Sequence, residues 1–181
     1  MVYTLLADGF EEIEALAVVD ILRRAQIPVK TFSISDNLKV EGAHNICVIA
    51  DDTIEKVNMD FDVLFLPGGY PGYLNLENEP GVRELIKNAY NSKKFVAAIC
   101  AAPSILGKME LLIGKKACCF PSFEDKLIGA QVLFDDVCIS DNIITSRGAG
   151  TAHKLAFELV AILKNKKTAD ELKKAMIYDN E

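Results

Sequence analysis

Short apolar runs alternate with amphipathic stretches along the chain, and this alternation constrains the possible folds more than any other feature. The runs Val2–Ala7 and Val63–Leu66 are mostly apolar, as strands buried on both faces of a parallel sheet are. The stretch Glu11–Ala25 instead repeats its apolar residues at helical spacing. The pattern predicts an α/β protein in three layers, with a mostly parallel central sheet between helices.

The same reasoning predicts the remaining elements, with no long linker or internal repeat between them. Strands are expected at Val29–Ser33, Phe95–Ile99, Lys116–Phe120, Val137–Ser140 and Ile143–Thr145, helices at Pro80–Tyr90, Ser104–Leu111, Thr151–Leu163 and Thr168–Ile177, and a hairpin within Leu38–Ile49. Thr168 and Glu171 have the spacing of a capping box at the start of the last helix. Residues 1–181 are therefore expected to form a single domain.

The charge and the cysteine content argue against several classes of partner. With a net charge of −6 and no dense Lys/Arg patch, no nucleic-acid partner is expected. No apolar run reaches the roughly 18 residues that span a membrane, and the first residues lack the basic segment of a signal peptide. Five cysteines without regular spacing argue against a disulfide framework, so a cytoplasmic protein is expected.

Cys100 stands where an apolar strand ends and a helical pattern begins, within the segment Phe95–Pro103. A cysteine in such a tight turn would point its sulfur away from the sheet, near the positive end of a helix, where the thiolate form is favoured. The alternative is a buried core cysteine, which is the commoner role of a free cysteine. The position after the strand favours a reactive thiol.

Glycines follow another strand and are expected to lie near Cys100, because ligands of open α/β sheets bind at the carboxyl ends of strands. Gly68 and Gly69 come directly after Val63–Leu66. Their N–H groups, together with that of Ala101, would form an oxyanion hole. A plain turn is the alternative.

Acidic residues open the first helix and offer a partner for the cysteine. Glu14 lies one helical turn after Glu11 and beside apolar residues. A partly buried carboxyl there would have a raised pKa and could donate a hydrogen bond to a thiolate. Acidic residues in a first helical turn also complement the helix dipole, which explains Glu11 and Glu12 without any chemistry.

The other candidate segments have simpler explanations. Ser146–Thr151 lacks the third glycine of a dinucleotide-binding motif and is expected to be a tight loop with Thr151 as the helix N-cap. No C-x-x-C or H-E-x-x-H motif is present, so no metal site is expected. The remaining cysteines are expected to be structural: Cys47, Cys118, Cys119 and Cys138.

Four segments together resemble the signature of the ThiJ/PfpI superfamily, and they are Ala7–Glu14, Leu66–Gly69, Ala97–Pro103 and Thr145–Thr151. They occur in the family's order over essentially the whole chain, and they are most similar to the branch of the parkinsonism-associated deglycase and YajL. The resemblance implies a flavodoxin-like three-layer α/β sandwich that forms a homodimer, partly through the first helix.

The resemblance also implies roles for individual residues. Cys100 would be the reactive cysteine, and Glu14 the protonated acid that hydrogen-bonds its sulfur and lowers its pKa. Glu11 would lie at the pocket. Arg24 falls where the family has an arginine that reaches the partner's site, and His44 falls near the pocket.

Two departures from the family pattern bear on activity. Phe120 takes the place of the histidine beside the reactive cysteine in the parkinsonism-associated protein, and Ala101 that of the histidine after the cysteine in PfpI-type proteases.

The resemblance implies cofactor-free glyoxalase or deglycase chemistry on a reactive aldehyde or a glycated adduct. The alternative is a redox sensor or chaperone that works through oxidation of Cys100. A cysteine peptidase or amidase is the third hypothesis, and Ala101 counts against it.

Overall fold

Seven strands form one sheet at the centre of the computed structural model, which describes residues 1–178. The elements in chain order are β1 (Val2–Leu6), α1 (Glu12–Arg24), β2 (Val29–Ser33), β3 (Lys39–Glu41), β4 (Cys47–Ile49), β5 (Asp52–Thr53), β6 (Val63–Leu66), α2 (Gly72–Asn78), α3 (Pro80–Asn91), β7 (Phe95–Ile99), α4 (Pro103–Lys108), β8 (Lys116–Ala117), β9 (Gln131–Val132), β10 (Val137–Ser140), β11 (Ile143–Ser146), α5 (Ala152–Leu163) and α6 (Lys166–Ala175). The strands of the sheet lie in the order β10-β11-β7-β6-β1-β2-β5, and each neighbouring pair except β10–β11 is parallel. The predicted mostly parallel sheet is confirmed.

The order of the main parallel strands places the candidate site. Strands β2-β1-β6-β7-β11 follow the 2-1-3-4-5 order of flavodoxin-like folds. In that order the winding reverses between β1 and β6, and a crevice opens at their carboxyl ends. The segments that leave these two strands lead to Glu14 and to Gly68, and β7 beside them leads to Cys100.

Alternate residues of the central strands pack into two apolar cores, one on each face of the sheet. In β6, Leu64 and Leu66 join the core that includes α2, α3 and α4. Val63 and Phe65 join the other core, with α1, α5 and α6. All four side chains are fully buried. The result is the three-layer sandwich that the sequence pattern predicted.

Several elements differ from the prediction. The strand expected over Lys116–Phe120 ends at Ala117, because the N–H of Cys118 turns to Thr145 Oγ1 at 2.9 Å. Helix α2 and the two-residue strand β5 were not predicted, since both are too short to show a period. The hairpin is present as the antiparallel pair β3–β4. None of the helices within residues 1–178 is long and apolar enough to cross a bilayer.

Two predicted helix caps are wrong in detail. The side chain of Asn165, the N-cap of α6, accepts a hydrogen bond from the N–H of Thr168, so Thr168 does not begin a capping box. Asn is a strong N-cap residue and starts the helix earlier. Thr151 is the N-cap residue of α5 as predicted, but its hydroxyl makes no capping bond and instead accepts hydrogen bonds from the N–H groups of Arg147 and Gly148.

Candidate active site

Cys100 lies in a strained turn between β7 and α4. Its φ of 66° is in the left-handed region, which costs a residue with a side chain about 1–2 kcal/mol. The backbone on both sides holds this conformation. The N–H of Cys100 donates to the carbonyl of Ser146 at 3.0 Å, and its own carbonyl accepts from the N–H of Phe120 at 2.8 Å. The half-buried thiol thus occupies the elbow at which the sequence placed it.

Glu14 is a buried carboxyl in the first turn of α1. The N-cap of this helix is Glu11, whose Oε2 accepts from the N–H of Glu14 at 2.7 Å. Helical spacing places Glu14 on the same face as Val18 and Leu22, which are fully buried, and only 1% of Glu14 is exposed. Glu14 Oε2 accepts a hydrogen bond from the N–H of Gly68 at 2.9 Å. The carboxyl therefore enters the interior with one backbone donor in place.

Gly68 allows Glu14 and Cys100 to meet because it has no side chain. A methyl group at Gly68 would lie 2.6 Å from Glu14 Oε2, 2.6 Å from Cys100 Cβ and 3.1 Å from Cys100 Sγ. The carboxyl oxygen and the sulfur share the space beside this glycine, and each group shifts the pKa of the other. The structure thus brings together the two residues that carry the predicted chemistry.

The donors around the sulfur differ from the prediction in one respect. The N–H groups of Ala101 and Gly69 lower the pKa of Cys100 and so favour its thiolate. The N–H of Gly68 is instead committed to Glu14. Gly68 is therefore not a donor to the sulfur, and the expected oxyanion donors reduce to Gly69 and Ala101. A backbone N–H makes one strong bond, and the carboxyl takes it.

Glu14 and Cys100 titrate as a coupled pair. Burial raises the pKa of Glu14 to about 7, although hydrogen bonds from Cys100 and Gly68 oppose the rise. Burial and then the charge of Glu14 raise the pKa of Cys100 to about 12. This direction is opposite to the predicted lowering, because the sulfur is buried beside a carboxyl that ionises near neutral pH. Between these values the pair holds one proton and one negative charge.

Phe120 lines the same space. A methyl group at Gly148 would lie 3.4 Å from Phe120 Cδ2 and 3.9 Å from Glu14 Oε1, so the ring and the carboxyl flank one glycine. The ring is 45% exposed and meets Phe123 edge-on, with centroids 6.5 Å apart. The sequence singled out Phe120 and the Ser146–Thr151 loop that contains Gly148, but not Phe123. That loop was interpreted as a tight turn and not as a part of the site.

Two other predicted residues lie at opposite ends of α1. Glu11 caps the helix, and its charge contributes to the raised pKa of Glu14. Arg24, in the last turn, is exposed and pairs with Asp20 at 2.6 Å. Within one protomer, Arg24 therefore does not belong to the site. Its predicted reach into a partner's site stays a prediction.

His44 is bound to a carboxylate that the sequence explained only as a dipole effect. Glu12 is buried, and it accepts from the N–H of His44 and bonds His44 Nδ1, each at 2.7 Å. These bonds hold the turn between β3 and β4 against the start of α1. Bonding to Glu12 raises the pKa of the exposed His44 ring. The contact of His44 is thus with Glu12 and not with Cys100.

The remaining histidine and cysteines lie apart from this chemistry. The ring of His153 stacks on that of Tyr178, with centroids 5.7 Å apart. With His44 bound to Glu12, both histidines of the sequence are engaged elsewhere, as expected for a site with Phe120 at the histidine position. Of the four cysteines predicted to be structural, Cys47 is exposed on β4, and the other three are buried: Cys118, Cys119 and Cys138.

Within residues 1–178, one group of side chains is close enough to share a metal ion. The group consists of Glu11, Glu12 and His44, with possible ligand atoms within 4.8 Å of one another. Those atoms already have partners, because Glu12 bonds His44 and Glu11 accepts from the N–H of Glu14. The geometry therefore assigns these three residues to structure, and the expected absence of a metal stays a prediction.

A family model described as the DJ-1/PfpI family matches residues 1–162, a range that includes Glu14, Gly68, Cys100 and Gly148. The chain belongs to the DJ-1/PfpI family. The resemblance carried by the four sequence segments is thereby confirmed.

Relatives within the DJ-1/PfpI family are similar over most of this chain. Protein DJ-1 homolog B of Arabidopsis thaliana is 35% identical over 92% of this chain and 39% of its own length. The chain spans less than half of each of two such Arabidopsis proteins. A Caenorhabditis elegans protein named glutathione-independent glyoxalase DJR-1.2 is 32% identical over 92% of this chain and 89% of that protein. The structure described as Toxoplasma gondii DJ-1, oxidized, has a TM-score of 0.93 and 34% identity, and covers 97% of both chains.

Proposed function

We propose that this protein is a cysteine-dependent glyoxalase that converts 2-oxoaldehydes to 2-hydroxy acids. Deglycase activity on early aldehyde adducts would use the same chemistry. The observation that carries the proposal is the contact between the buried carboxyl of Glu14 and the sulfur of Cys100. Membership of a family with a member named as a glyoxalase supports an enzyme of this broad kind.

The first step is addition of the sulfur to the aldehyde. The carboxylate of Glu14 accepts the thiol proton while Cys100 Sγ bonds to the aldehyde carbon, so a free thiolate is not required beforehand. The N–H groups of Gly69 and Ala101 are placed to stabilise the developing oxyanion. Glu14 then returns the proton to that oxygen, which gives a hemithioacetal and restores the carboxylate.

The second step moves a proton between carbons. Glu14 removes the proton from the former aldehyde carbon, which gives an enediolate, and returns it to the neighbouring carbon. The hydroxyl proton of the hemithioacetal moves from the former aldehyde oxygen to the oxygen on that neighbouring carbon. The product is a thioester of the 2-hydroxy acid on Cys100. Water hydrolyses this thioester and releases the acid and the thiol. For methylglyoxal the balance is one aldehyde and one water consumed, and one lactate and one proton formed.

The charge of the site favours a neutral substrate. Among the groups that shift the pKa of Glu14, Cys100 and Glu11 are ionisable, and both add negative charge or none. A carboxylate or phosphate on the substrate would be repelled by the charge that the Glu14–Cys100 pair holds. A 2-oxoaldehyde presents two carbonyl oxygens and no charge, so it fits this environment.

The test is formation of lactate from methylglyoxal by purified protein. Cys100→Ser and Glu14→Gln are each expected to lower kcat/KM by at least about 100-fold, because one lacks the nucleophile and the other the base. Cys47→Ala is the matched control, since it removes an exposed cysteine on β4 and should leave the rate unchanged. Full turnover by Cys100→Ser would refute the proposal.

Oxidation sensing is the second candidate function. The N–H groups of Gly69 and Ala101 favour negative charge on the sulfur and could hold a sulfinate, and the related Toxoplasma gondii structure is described as oxidized. Two hydrogen peroxide molecules would each transfer one oxygen to Cys100 and leave as water. Intact mass after mild peroxide treatment tests this, because a gain of two oxygens with negligible turnover supports the sensor. No gain at Cys100 would exclude it.

Peptidase activity is not expected. Ala101 follows the cysteine, and the histidines are bound elsewhere, His44 to Glu12 and His153 against Tyr178. A cysteine peptidase needs a base that also protonates the leaving amine. Peptide cleavage that Cys100→Ala abolishes would contradict this expectation.

A homodimer is proposed from the exposed apolar side chains near α1. Ile13 on α1 and Ile46 beside the β3–β4 turn are each 53% exposed, and Ile49 on β4 is 69% exposed. The bonds between Glu12 and His44 hold these two elements together. Sedimentation of the unaltered protein and of Ile13→Glu tests the proposal, with a shift from dimer to monomer expected. A monomer at micromolar concentration in the unaltered protein would refute it.

A further inference from the structure

We infer that the ring of Phe120 contacts the substituent of the substrate and so selects 2-oxoaldehydes with an aromatic substituent over those with a methyl group. The inference rests on the proposed function, because it names the substrate class of that same site. It starts from the position of the ring, which flanks Gly148 together with Glu14 Oε1, while Glu14 Oε2 lies beside Cys100. A substrate held between Cys100 and Glu14 therefore extends its substituent toward the ring.

The backbone on both sides of Phe120 is fixed. Its N–H donates to the carbonyl of Cys100 at 2.8 Å, which ties the residue directly to the elbow. Its carbonyl accepts from the N–H of Phe123 at 3.1 Å, and Ser122 has a φ of 75°. With Pro121 before it, Ser122 makes this a type II turn. A residue held by two hydrogen bonds and a turn presents its side chain without loss of backbone freedom on binding.

Neighbouring rings support the same surface. Phe123 meets Phe120 edge-on, at 6.5 Å between centroids and 79° between planes. Tyr73, which is almost fully buried, meets Phe123 edge-on on its other side, at 5.5 Å and 82°. The row of three rings leads from the interior to the site, and its last member is 45% exposed. The exposed part of Phe120 is the area that a ligand ring can cover.

An aryl group covers that surface in a way that a methyl group does not. Aromatic rings attract each other in offset or edge-on arrangements in addition to the apolar area that they bury. Gly148 lies in contact with the ring edge, since a methyl group there would lie 3.4 Å from Phe120 Cδ2. The histidine that the family resemblance places at this position would offer a polar ring instead.

The experiment compares phenylglyoxal with methylglyoxal in three proteins. Phe120→Leu removes the ring but keeps apolar bulk, and Phe120→Tyr keeps the ring as the matched control. We expect the ratio of kcat/KM for phenylglyoxal to that for methylglyoxal to fall about tenfold in Phe120→Leu, through a higher KM for phenylglyoxal, and to stay within about twofold in Phe120→Tyr. An unchanged ratio in Phe120→Leu would overturn the inference.

A second measurement does not depend on turnover. Benzaldehyde and acetaldehyde form reversible hemithioacetals, so each should slow the alkylation of Cys100 by iodoacetamide. For each protein we take the ratio of the benzaldehyde concentration to the acetaldehyde concentration that gives half protection. This ratio should be about tenfold lower in the unaltered protein and in Phe120→Tyr than in Phe120→Leu. An equal ratio in the three proteins refutes the role of Phe120 in substrate recognition. If neither 2-oxoaldehyde is consumed, the proposed function fails, and the protection ratios still decide the role of Phe120.

Discussion

Replacing Glu14 with glutamine is expected to change how the stability of the protein depends on pH. The folded-state pKa of Glu14 is raised by burial from 4.5 to about 7. Below pH 4.5 both the folded and the unfolded chain keep the proton, so the group makes no difference. As the pH rises from 4.5 to 7 the unfolded chain loses the proton first, and the folded state loses stability relative to it.

The magnitude follows from the size of that change. A rise from 4.5 to about 7 corresponds to about 3 kcal/mol at 1.36 kcal/mol per pKa unit. Above pH 7 the unaltered protein therefore carries a penalty of about 3 kcal/mol that is absent at pH 4.5 and below. For a domain of this size the penalty corresponds to roughly 6–12 °C in Tm. Glutamine cannot ionise, and its carbonyl can still accept from the N–H of Gly68.

The assay is chemical unfolding of both proteins at several pH values between 4.5 and 8. The free energy of unfolding of the unaltered protein minus that of Glu14→Gln should fall by about 3 kcal/mol across this range. The difference cancels the contribution of other titrating groups, including His44 and Glu12, because both proteins contain them. A difference that stays constant with pH would refute the raised pKa of Glu14 and the role of burial in it.

Three further predictions concern the same site. Gly68→Ala should abolish lactate formation and lower the free energy of unfolding by about 1–3 kcal/mol. The reason is that its methyl group would lie 2.6 Å from both Glu14 Oε2 and Cys100 Cβ. A fully active variant would contradict this packing. Cys100→Gly should melt about 2–4 °C above Cys100→Ala, because glycine relieves the positive φ of 66°, and equal melting temperatures would argue against strain. The rate of alkylation of Cys100 should rise with pH at a midpoint above that of a free thiol. Glu14→Gln should lower this midpoint, because it removes the charge that opposes ionisation of the thiol. A higher midpoint in the variant would contradict this effect of Glu14.

Much of this site could be predicted because its residues follow strands. The apolar runs that end at Leu66 and Ile99 predicted neighbouring strands, and parallel strands collect their carboxyl ends at one edge. Gly68 and Cys100 are therefore near each other wherever the sheet forms. Glu14 followed from helical spacing, which places it on the buried face of α1.

The partners of the backbone groups could not be predicted in the same way. The N–H of Gly68 binds a carboxyl that is 54 residues away in the sequence, and no local pattern reports such a pairing. The pKa of Cys100 depends on how deeply the sulfur and Glu14 are buried together, which is a property of packing. The same holds for Glu12, whose burial against His44 depends on where the β3–β4 turn lies.

The proton that Glu14 and Cys100 share also separates the two candidate functions. Peroxide reacts with a free thiolate, and the raised pKa of Cys100 keeps that form scarce while Glu14 is ionised. An aldehyde needs no free thiolate, because Glu14 takes the proton as the sulfur–carbon bond forms, and a pKa of about 7 suits a base that must also return it. At equal concentrations Cys100 should therefore react faster with methylglyoxal than with hydrogen peroxide. Glu14→Gln should narrow this difference, because it removes the base that the aldehyde reaction uses and the charge that opposes thiolate formation, while burial still raises the pKa of Cys100. Intact mass follows the oxidation of Cys100 by peroxide, and lactate release follows its reaction with methylglyoxal. If oxidation is the faster reaction in the unaltered protein, sensing and not catalysis is the better account of the Glu14–Cys100 pair.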